Sequence, residues 1–400
     1  MRYKKFKITL LLIGLSPVIF AQKVISQKEA IELAWTQNQN LKIIGLEVEN
    51  QKQLLGTAKE LPKTSFDLQY GRTQVATMND YTISFSQQFS HPKYYKLVAD
   101  VLNKNVELVK KNENIRKNEL SYLIKNIYSK NAYWINLEKF LNEQNVVLSS
   151  IVKATDVRYQ SGETNNVEKI LAESKLNQNK FRVDLIANER SQLKESLRFY
   201  INDNSEFLLL NDSSFSSKSL VLNGLSVKNN PFVDFALMNL DLSKAQTQVE
   251  KGKLLPEFKV GGANQSIEHN WRQFLVQGGL SIPIFATAQK SKITASQISE
   301  KIQFEKLNLI ESELQNLLNL AIQNLQKAES QIQFLEKSAL PQADLIIVTS
   351  QKQFKNGEIS YPDFLQISQE AWTFKEQYLK VILDKSLIIN ELEYLTGQNL

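Results

Sequence analysis

The sequence has 400 residues with 48 basic and 42 acidic side chains, two histidines and no cysteine, and its formal net charge is +6 at neutral pH. The lack of cysteine excludes a disulfide framework and a thiolate metal site, so a protein of this size must be held together by burial or by oligomerisation. Four of the basic residues lie within the first seven positions. Without them the net charge is about +2, which removes the case for a nucleic-acid partner.

The first 21 residues have the pattern of a secretory signal peptide. Basic residues at positions 2, 4, 5 and 7 precede a mostly apolar stretch at 8–20, and Ala21 is a small residue suited to cleavage. The stretch is shorter than the ~20 apolar residues that a membrane-spanning helix needs, and a retained anchor is the alternative. We expect an exported chain that begins at Gln22, and no cysteine follows the apolar run to carry a lipid anchor.

A helix is predicted at the start of the exported chain. Ser26 is suited to the N-cap position, and Glu29 completes a capping box. Apolar residues then follow at helical spacing as far as Leu55. A matching helix is predicted to begin near Asn230-Pro231, because proline is well tolerated in a first helical turn.

Four short segments alternate apolar and polar residues and predict β-strands near 64–72, 79–89, 256–265 and 273–283. Taken alone, this alternation favours a half-buried sheet of a soluble protein, although it also fits a membrane barrel with lipid outside and water inside. In a barrel, the residues predicted to face lipid are Phe66, Tyr70, Ile83, Phe85, Val276 and Ile282. Those predicted to face water are Ser84, Ser86 and Gln277.

Very long helices are predicted after each strand pair. The 69 residues between Pro92 and Gly162 contain neither proline nor glycine, and a continuous helix of that length is about 100 Å long. Residues 285–340 are likewise free of both. Apolar residues recur every seven positions in the two segments, at Leu120, Ile127, Trp134, Leu141 and Leu148 and at Leu307, Leu314, Ala321, Ala328 and Leu335. This repeat predicts helices that supercoil side by side rather than the core of a globule.

The same order of elements occurs twice. Pro62 and Pro256, each after a leucine, are 194 residues apart, and Gly162 and Gly357, each with an aromatic residue three positions before it, are 195 apart. We therefore predict a tandem repeat, with residues 22–224 as the first unit and 225–400 as the second. Each unit comprises a helix, a strand pair (64–89 or 256–283) and a long helical hairpin that reverses at its glycine.

The number of strands has a consequence for assembly. Four strands cannot close a barrel, whereas three copies of the chain would supply twelve and leave no unpaired strand edge in lipid. The sequence therefore favours an obligate cyclic oligomer. The predicted fold class is mainly α with a transmembrane β-barrel.

In this order, the motifs resemble those of the TolC outer-membrane efflux family over nearly the whole exported chain. The resemblance rests on Asn38-Gln39-Asn40-Leu41 and Asn230-Pro231-Phe232-Val233 at the helix starts, Pro62 and Pro256 at the barrel entry, Ser281-Ile282-Pro283-Ile284-Phe285 at the barrel exit, and Leu395-Thr396-Gly397. The segments 159–163 and 354–358 match the hairpin tips. The chain departs from the family at Gln39, where proline is frequent, at Gln87-Gln88-Phe89, which lacks an exit proline, and at Gln366, where a second acid is usual.

The resemblance implies a homotrimer, with four strands per protomer in a shared twelve-stranded barrel. It places the barrel in the outer membrane of a Gram-negative-type cell and a helical tunnel in the periplasm. It also implies docking onto a periplasmic adaptor (membrane fusion) protein and an inner-membrane pump, with the RND type as one candidate. The run Ala288-Gln289-Lys290-Ser291-Lys292-Ile293 resembles most the members paired with heavy-metal cation pumps. The implied function is a passive exit duct for a tripartite efflux or type I secretion system.

The functional residues are expected at the two hairpin tips. The resemblance assigns adaptor contact to the tip residues Arg158, Tyr159, Gly162, Glu163, Phe354, Lys355, Gly357 and Glu358. Glu168, Asp363 and Gln366 are candidates for the aperture, because three copies of inward-facing acids would form a ring that favours cations. The alternative for both acids is a position near a helix N-terminus, where negative charge is favourable.

Catalytic chemistry has little support in this sequence. His91 and His269 have no cysteine or carboxylate at ligand spacing and are interpreted as surface histidines. There is no phosphate-binding glycine motif, nucleophile elbow or paired-histidine helix. We therefore expect neither enzyme activity nor a cofactor. The alternative from another class is a periplasmic coiled-coil adaptor or structural protein, which explains the export signal and the long helices but not the two strand pairs.

Overall fold

The computed structural model describes residues 23–72, 76–210, 224–267 and 270–398, so the predicted signal peptide and His269 lie outside it. The elements of the first half are β1 (Lys23–Ile25), α1 (Gln27–Gln37), α2 (Gln39–Leu54), β2 (Ser65–Gly71), β3 (Asp80–Phe89), α3 (Pro92–Gln160), α4 (Asn166–Ile201) and β4 (Phe207–Leu209). Those of the second half are α5 (Pro231–Gly252), β5 (Glu257–Ile267), β6 (Asn270–Ser281), α6 (Thr287–Phe334), α7 (Leu340–Lys355) and α8 (Tyr361–Thr396). A π-helical turn (Leu335–Ala339) joins α6 to α7. Short 3₁₀ turns follow α2 and precede α5.

The first helix is interrupted, although the sequence predicts one continuous helix as far as Leu55. Asn38 leaves the helical region with ψ 130° and caps the second segment, where its Oδ1 accepts a hydrogen bond from the backbone N–H of Asn40 at 3.0 Å. Its Nδ2 donates to the carbonyl of Tyr200 at 2.9 Å. An asparagine side chain satisfies both a helix start and a distant carbonyl, so the break is stable.

Asn230 does in the second half what Asn38 does in the first. Its Oδ1 accepts from the N–H of Phe232 at 2.8 Å, and its Nδ2 donates to the carbonyl of Leu395 at 2.9 Å. The side chain is completely buried. Each helix start is thereby attached to the end of a helix far along the chain.

All four predicted strand segments form strands of one antiparallel sheet in the order β2-β3-β5-β6. The register aligns Phe66 with Phe85, Phe85 with Gly262 and Gly262 with Val276, so these positions share one face. Ser84 alternates with Phe85 and therefore lies on the opposite face. The first face exposes the large apolar side chains Phe66, Leu68, Tyr70, Ile83, Phe85, Phe258, Val260, Phe274, Val276 and Leu280. The second carries mostly serine, threonine, glutamine and small residues.

The seven-residue apolar columns are helix contacts, as the sequence predicts. α3 is a single helix of 69 residues. Of the ten column positions, Trp134 is partly buried and the other nine are buried. Near the sheet the helices form a layer in which α2 packs on α3, α3 on α5 and α5 on α6. Further away, α4 packs on α3, α3 on α8 and α8 on α7.

The turn that ends α8 contains a glycine that we expect to be important for stability. Gly397 has φ +68°, and a Cβ there would lie 2.6 Å from the carbonyl oxygen of Asn229. Gly397→Ala is therefore expected to destabilise the protein by about 1–3 kcal/mol, because left-handed backbone and steric overlap add. Thermal unfolding in detergent measures the effect. The control is Gly56→Ala, where a Cβ meets no atom within 4 Å, and equal melting of both variants would contradict the prediction.

Candidate functional site

The two hairpin tips have the same backbone turn. Gly162 and Gly357, between the paired long helices, have φ +79° and +78°, so the positive φ that the sequence predicts at both reversals is confirmed. At the first tip, the N–H of Glu163 donates to the carbonyl of Arg158 at 2.8 Å, and the corresponding bond at the second tip is 2.9 Å long. This bond closes a helix C-terminus when the residue that follows the last turn is left-handed. Glycine adopts that conformation without steric cost.

The two acids of the predicted aperture lie in the first turns of the returning helices, next to the N-cap residues Asn165 and Ser360. The N–H of Glu168 donates to Oδ1 of Asn165 at 3.0 Å, and the N–H of Asp363 donates to Oγ of Ser360 at 3.3 Å. The carboxylate of Asp363 also accepts from Ser360, which completes a capping box. Both acids are the third residue of their helix, which agrees with the alternative position near a helix N-terminus. The carboxylate of Asp363 thus has a capping role, whereas that of Glu168 accepts a hydrogen bond from the Thr164 hydroxyl at 2.7 Å. A ring of acids around an aperture stays a prediction.

Several predicted adaptor contacts are at the surface of the tips. The side chain of Glu163 is 64% exposed, and Lys355 and Glu358 are exposed as well. Tyr159 is partly exposed, and no atom lies within 4 Å of a Cβ built at either tip glycine. Gln366 is exposed one turn after Asp363. These residues form an uncovered polar surface at the end of the hairpins.

Phe354 does not belong to this surface, contrary to the sequence prediction. It is completely buried, with its ring centroid 5.6 Å from that of Phe364 and 6.2 Å from that of Tyr361. Arg158 is also largely covered, with a side chain only 18% exposed and its guanidinium 5.2 Å from the centroid of the Phe354 ring. The two residues hold one tip against the other and are not free for a partner.

Burial among the rings of Phe354, Tyr361 and Phe364 also affects the pKa of the Tyr361 hydroxyl. Burial raises the pKa of Tyr361 to about 12, so its hydroxyl stays protonated and donates to the carbonyl of Leu171 at 3.3 Å. The apolar spacing of Phe354, Tyr361, Phe364 and Trp372 across the turn is the sequence signal that would have indicated a core. The aligned position in the first tip, Tyr159, is exposed, so the two tips differ in packing despite their shared turn.

A pair of polar links joins the two hairpins and was not predicted. Arg182 on α4 donates two hydrogen bonds to the carboxylate of Glu376 on α8, at 2.9 and 2.8 Å. Two turns closer to the tip, Lys175 Nζ donates to Gln369 Oε1 at 3.1 Å. The hydrogen bonds to Glu376 raise the pKa of Arg182 above its ordinary value. A bidentate arginine–carboxylate pair fixes orientation as well as distance, so the relative position of α4 and α8 is well defined.

The prolines that the resemblance places at the barrel entry and exit lie at the ends of strands. Pro256 directly precedes β5, Pro283 follows β6 by two residues, and Pro62 lies in the segment between the 3₁₀ turn and β2. The exit of β3, which lacks a proline, uses Gln87, whose Nε2 donates to the carbonyl of Pro62 at 2.7 Å. His91 caps α3 by accepting from the N–H of Lys93 at 3.1 Å.

The described residues 23–72, 76–210, 224–267 and 270–398 contain neither a membrane-spanning helix nor a metal-binding cluster. None of the helices described is long and apolar enough to cross a membrane. Within the same ranges, no three histidine, aspartate or glutamate side chains are grouped so that they could hold a metal ion.

Comparison with solved structures establishes the fold. No protein-family model matches the sequence, and no curated protein matches it. The structure is similar to CusC, a protein that forms a transmembrane channel (TM-score 0.78, 13% identity, 93% of this chain and 92% of that chain covered). It is also similar to the CmeC outer membrane channel of Campylobacter jejuni (0.74, 14%, 94% and 86%) and to the open state of the MtrE outer membrane channel of Neisseria gonorrhoeae (0.74, 12%, 94% and 89%). The chain therefore has the fold of TolC-like channels, as the resemblance implied.

Proposed function

We propose that this chain, which has the TolC-like fold, is one protomer of a trimeric outer-membrane exit duct for a tripartite efflux or type I secretion system. The observation that carries the proposal is the sheet at one end of the long helices. It has two free edges, β2 and β6, and two unlike faces, one apolar and one polar. The energy for transport would come from a pump, because the duct itself is passive.

The free edges argue for closure by further copies. Unpaired backbone N–H and C=O groups cost several kcal/mol each in a bilayer, so a spanning sheet must have no edge. An even number of antiparallel strands lets β6 of one copy pair with β2 of the next without a change of direction. Three copies provide the twelve strands of a barrel that leaves an open lumen.

The two faces argue for a membrane location. In a closed barrel, the face of Phe66, Ile83, Phe85 and Val276 would meet lipid, and the face of Ser84 would line water. A soluble sheet would leave the large apolar side chains of the first face exposed to water. A coiled-coil adaptor, the alternative from the sequence, would leave the same face without a partner.

The exposed tips indicate where partner proteins would bind, and a separate sequence run indicates the class of cargo. The exposed polar tips lie at the end of the hairpins away from the sheet, where a periplasmic adaptor bound to an inner-membrane pump would reach them. An RND pump is one candidate. The run at 288–293, which resembles members paired with heavy-metal cation pumps, makes heavy-metal cations the cargo to test first. In this role the protein is a channel without a catalytic centre.

Native mass spectrometry in detergent, combined with conductance in planar bilayers, tests the proposal. The expected result is a trimer that forms a stable water-filled pore and that is extracted from outer membranes only by detergent. A folded monomer, or a protein released from the periplasm without detergent, would contradict the duct and favour the adaptor.

Replacement of the two acidic aperture candidates is expected to change ion preference but not assembly. Glu168→Gln with Asp363→Asn keeps hydrogen-bonding groups at both caps, so the trimer should form and the cost in stability should be about 1 kcal/mol or less per site. If the acids line the opening, cation preference and block by multivalent cations in planar bilayers should fall. The control is Glu173→Gln, an exposed acid further along α4. Selectivity unchanged from the wild type would leave only the favourable position of both acids near a helix N-terminus.

A further inference from the structure

Four lysines lie where the long helices meet the sheet. Lys93 and Lys96 are in the first two turns of α3, Lys251 is in the last turn of α5, and Lys290 is in the first turn of α6. All four are exposed. In the part of the chain that the structure describes, none of them forms an ion pair with a carboxylate. Each therefore carries an uncompensated positive charge next to the sheet.

The contact between α3 and α5 shows where three of these lysines point. A Cβ at Gly252 on α5 would lie 2.9 Å from Leu97 Cδ1 on α3, so the two residues face each other. Lys251 directly precedes Gly252, and Lys96 holds the same place before Leu97. Each lysine therefore points about 100° away from the contact. Because α3 runs away from the sheet and α5 runs towards it, the two rotations lead to the same face of the helix layer. Lys93, one turn nearer the sheet, lies on the same side of α3 as Lys96.

Lys290 points to that face as well. Its neighbour Gln289 faces α5, because Gln289 Nε2 donates to the carbonyl of Glu250 at 2.8 Å. Lys290 follows Gln289 in the chain, so it is rotated by about 100° in the sense opposite to that of a preceding residue. Since α6 packs on the other side of α5 from α3, this opposite rotation leads to the same face of the layer.

The shared face continues the apolar face of the sheet. Tyr81 belongs to the apolar face, and its N–H points to β5, where it donates to Ser266 Oγ at 2.9 Å. For a chain of L-residues, this bond places β5 to the left of β3 when the apolar face is in front and β3 runs downward. In the same view α5 lies to the left of α3, and the right-handed turn of α3 brings Lys93 and Lys96 to the front. In a closed barrel the lysines would therefore be on the outside.

The apolar face has a limit at each end. Tyr70, Tyr81 and Trp271 form a row at the end away from the helices, with ring centroids 4.7 and 5.5 Å apart. Such aromatic side chains mark the border between lipid and water in membrane barrels. From Tyr81 to Phe89 the strand is about 27 Å long, which becomes roughly 20 Å across a membrane once the strand is tilted. An apolar band of about 25 Å ends just beyond Phe89, so lipid headgroups would lie beside the first turns of the helices.

The acids beside the four lysines do not cancel their charge. Glu250 accepts hydrogen bonds from Lys253 at 2.6 Å and from Gln289 at 2.9 Å, so its carboxylate is already occupied. Asp100 is exposed on α3, but it lies one turn further from the sheet than Lys96. The outer face at the junction of helices and sheet therefore has a net positive charge.

We propose that a lysine belt, formed by Lys93, Lys96, Lys251 and Lys290, binds the headgroups of anionic phospholipids on the periplasmic side of the barrel. The lysine belt rests on the proposed trimeric duct and adds to it a lipid class and the residues that select it. A basic side chain near the membrane surface attracts an anionic headgroup, whereas a zwitterionic headgroup has no net charge to be attracted. Lysine suits this position because its aliphatic stem covers apolar surface while its ammonium group reaches the phosphate.

Lipid binding to the intact trimer tests the lysine belt. The full-length protein is placed in nanodiscs that contain equal amounts of phosphatidylglycerol and phosphatidylcholine, and native mass spectrometry counts the lipids that remain bound when the nanodisc is disrupted. We expect the wild type to retain phosphatidylglycerol in preference to phosphatidylcholine. Each lysine contributes roughly fivefold to that preference. It should therefore fall by at least about tenfold in a variant that carries Lys93→Gln, Lys96→Gln, Lys251→Gln and Lys290→Gln.

A variant with the same change of charge further from the sheet is the matched control. Its substitutions are at exposed positions of α6 and of the π-helical turn, namely Lys301→Gln, Lys306→Gln, Lys327→Gln and Lys337→Gln. The control should keep the wild-type preference. Inorganic phosphate, added at constant ionic strength, should not remove the bound lipid. If the belt variant does not assemble, Lys93→Gln with Lys96→Gln gives the same test with a smaller loss.

The outcomes separate the lysine belt from the duct. A pore-forming trimer that retains both lipids equally overturns the lysine belt and leaves the duct intact. The same holds if the control loses phosphatidylglycerol as readily as the belt variant. Displacement of the lipid by inorganic phosphate also overturns the lysine belt, because the site would then recognise a phosphate group without a membrane. A folded monomer in native mass spectrometry overturns both.

Discussion

Gly357→Val is expected to abolish efflux in cells while the trimer still assembles. The φ of +78° at this position costs a β-branched residue on the order of 1–2 kcal/mol or more. The turn must therefore rearrange, and the exposed residues Lys355 and Glu358 move with it. The sheet lies about 100 Å away along the helices and should be unaffected. The measurement is cargo resistance in a deletion strain together with the amount of trimer in the outer membrane.

A neighbouring substitution separates backbone strain from added bulk. Asn356→Val places the same side chain one residue earlier, where φ is an ordinary −79°. If efflux falls only in Gly357→Val, the shape of the turn is what the adaptor requires. If both variants lose efflux, bulk at the tip is sufficient. Normal efflux with Gly357→Val, or loss of its trimer, would contradict the assignment of this tip to docking or opening.

The sequence predicts correctly those elements whose repeating pattern of apolar residues extends over enough positions to be recognised. Apolar and polar residues alternate with period two in the strands, although in β5 only over Glu257–Val260, and the helical columns recur over four heptads. The tip glycines are predictable for a different reason, since a reversal between long helices needs a left-handed residue. The parallel pair β1-β4 has only three residues per strand and no sequence pattern to indicate it.

The features that the sequence does not predict depend on packing between distant segments. Nothing in the neighbourhood of Arg182 indicates that Glu376, 194 positions later, will hold it. Phe354 aligns with the exposed Tyr159, yet it is buried because Tyr361 and Phe364 close over it. The division into two repeated units stays a prediction. It explains the common turn at the two tips but not their different packing.

Phe85→Arg is expected to prevent assembly in the membrane, whereas Ser84→Arg is expected to be tolerated. The two positions are adjacent on β3 and receive the same charge, so only the face of the sheet differs. On the face of Phe85 an arginine would meet lipid, at a cost of roughly 2–4 kcal/mol near mid-strand. The substitution would also remove the ring that packs over Gly262, where a Cβ would lie 3.0 Å from the Phe85 Cε1 atom.

On the face of Ser84 the same charge meets a different environment. Ser84 pairs with Asp67 on β2, so an arginine there has a carboxylate opposite it and water in the lumen around it. Folding from urea into lipid vesicles gives the free energy of each variant, and the amount of trimer in outer membranes gives the result in cells. Equal tolerance of both substitutions would reject the lipid-facing assignment of Phe85. Equal failure would show that position 84 lacks the open lumen of a closed barrel. Only a sheet with lipid on one side and water on the other separates two neighbouring residues in this way.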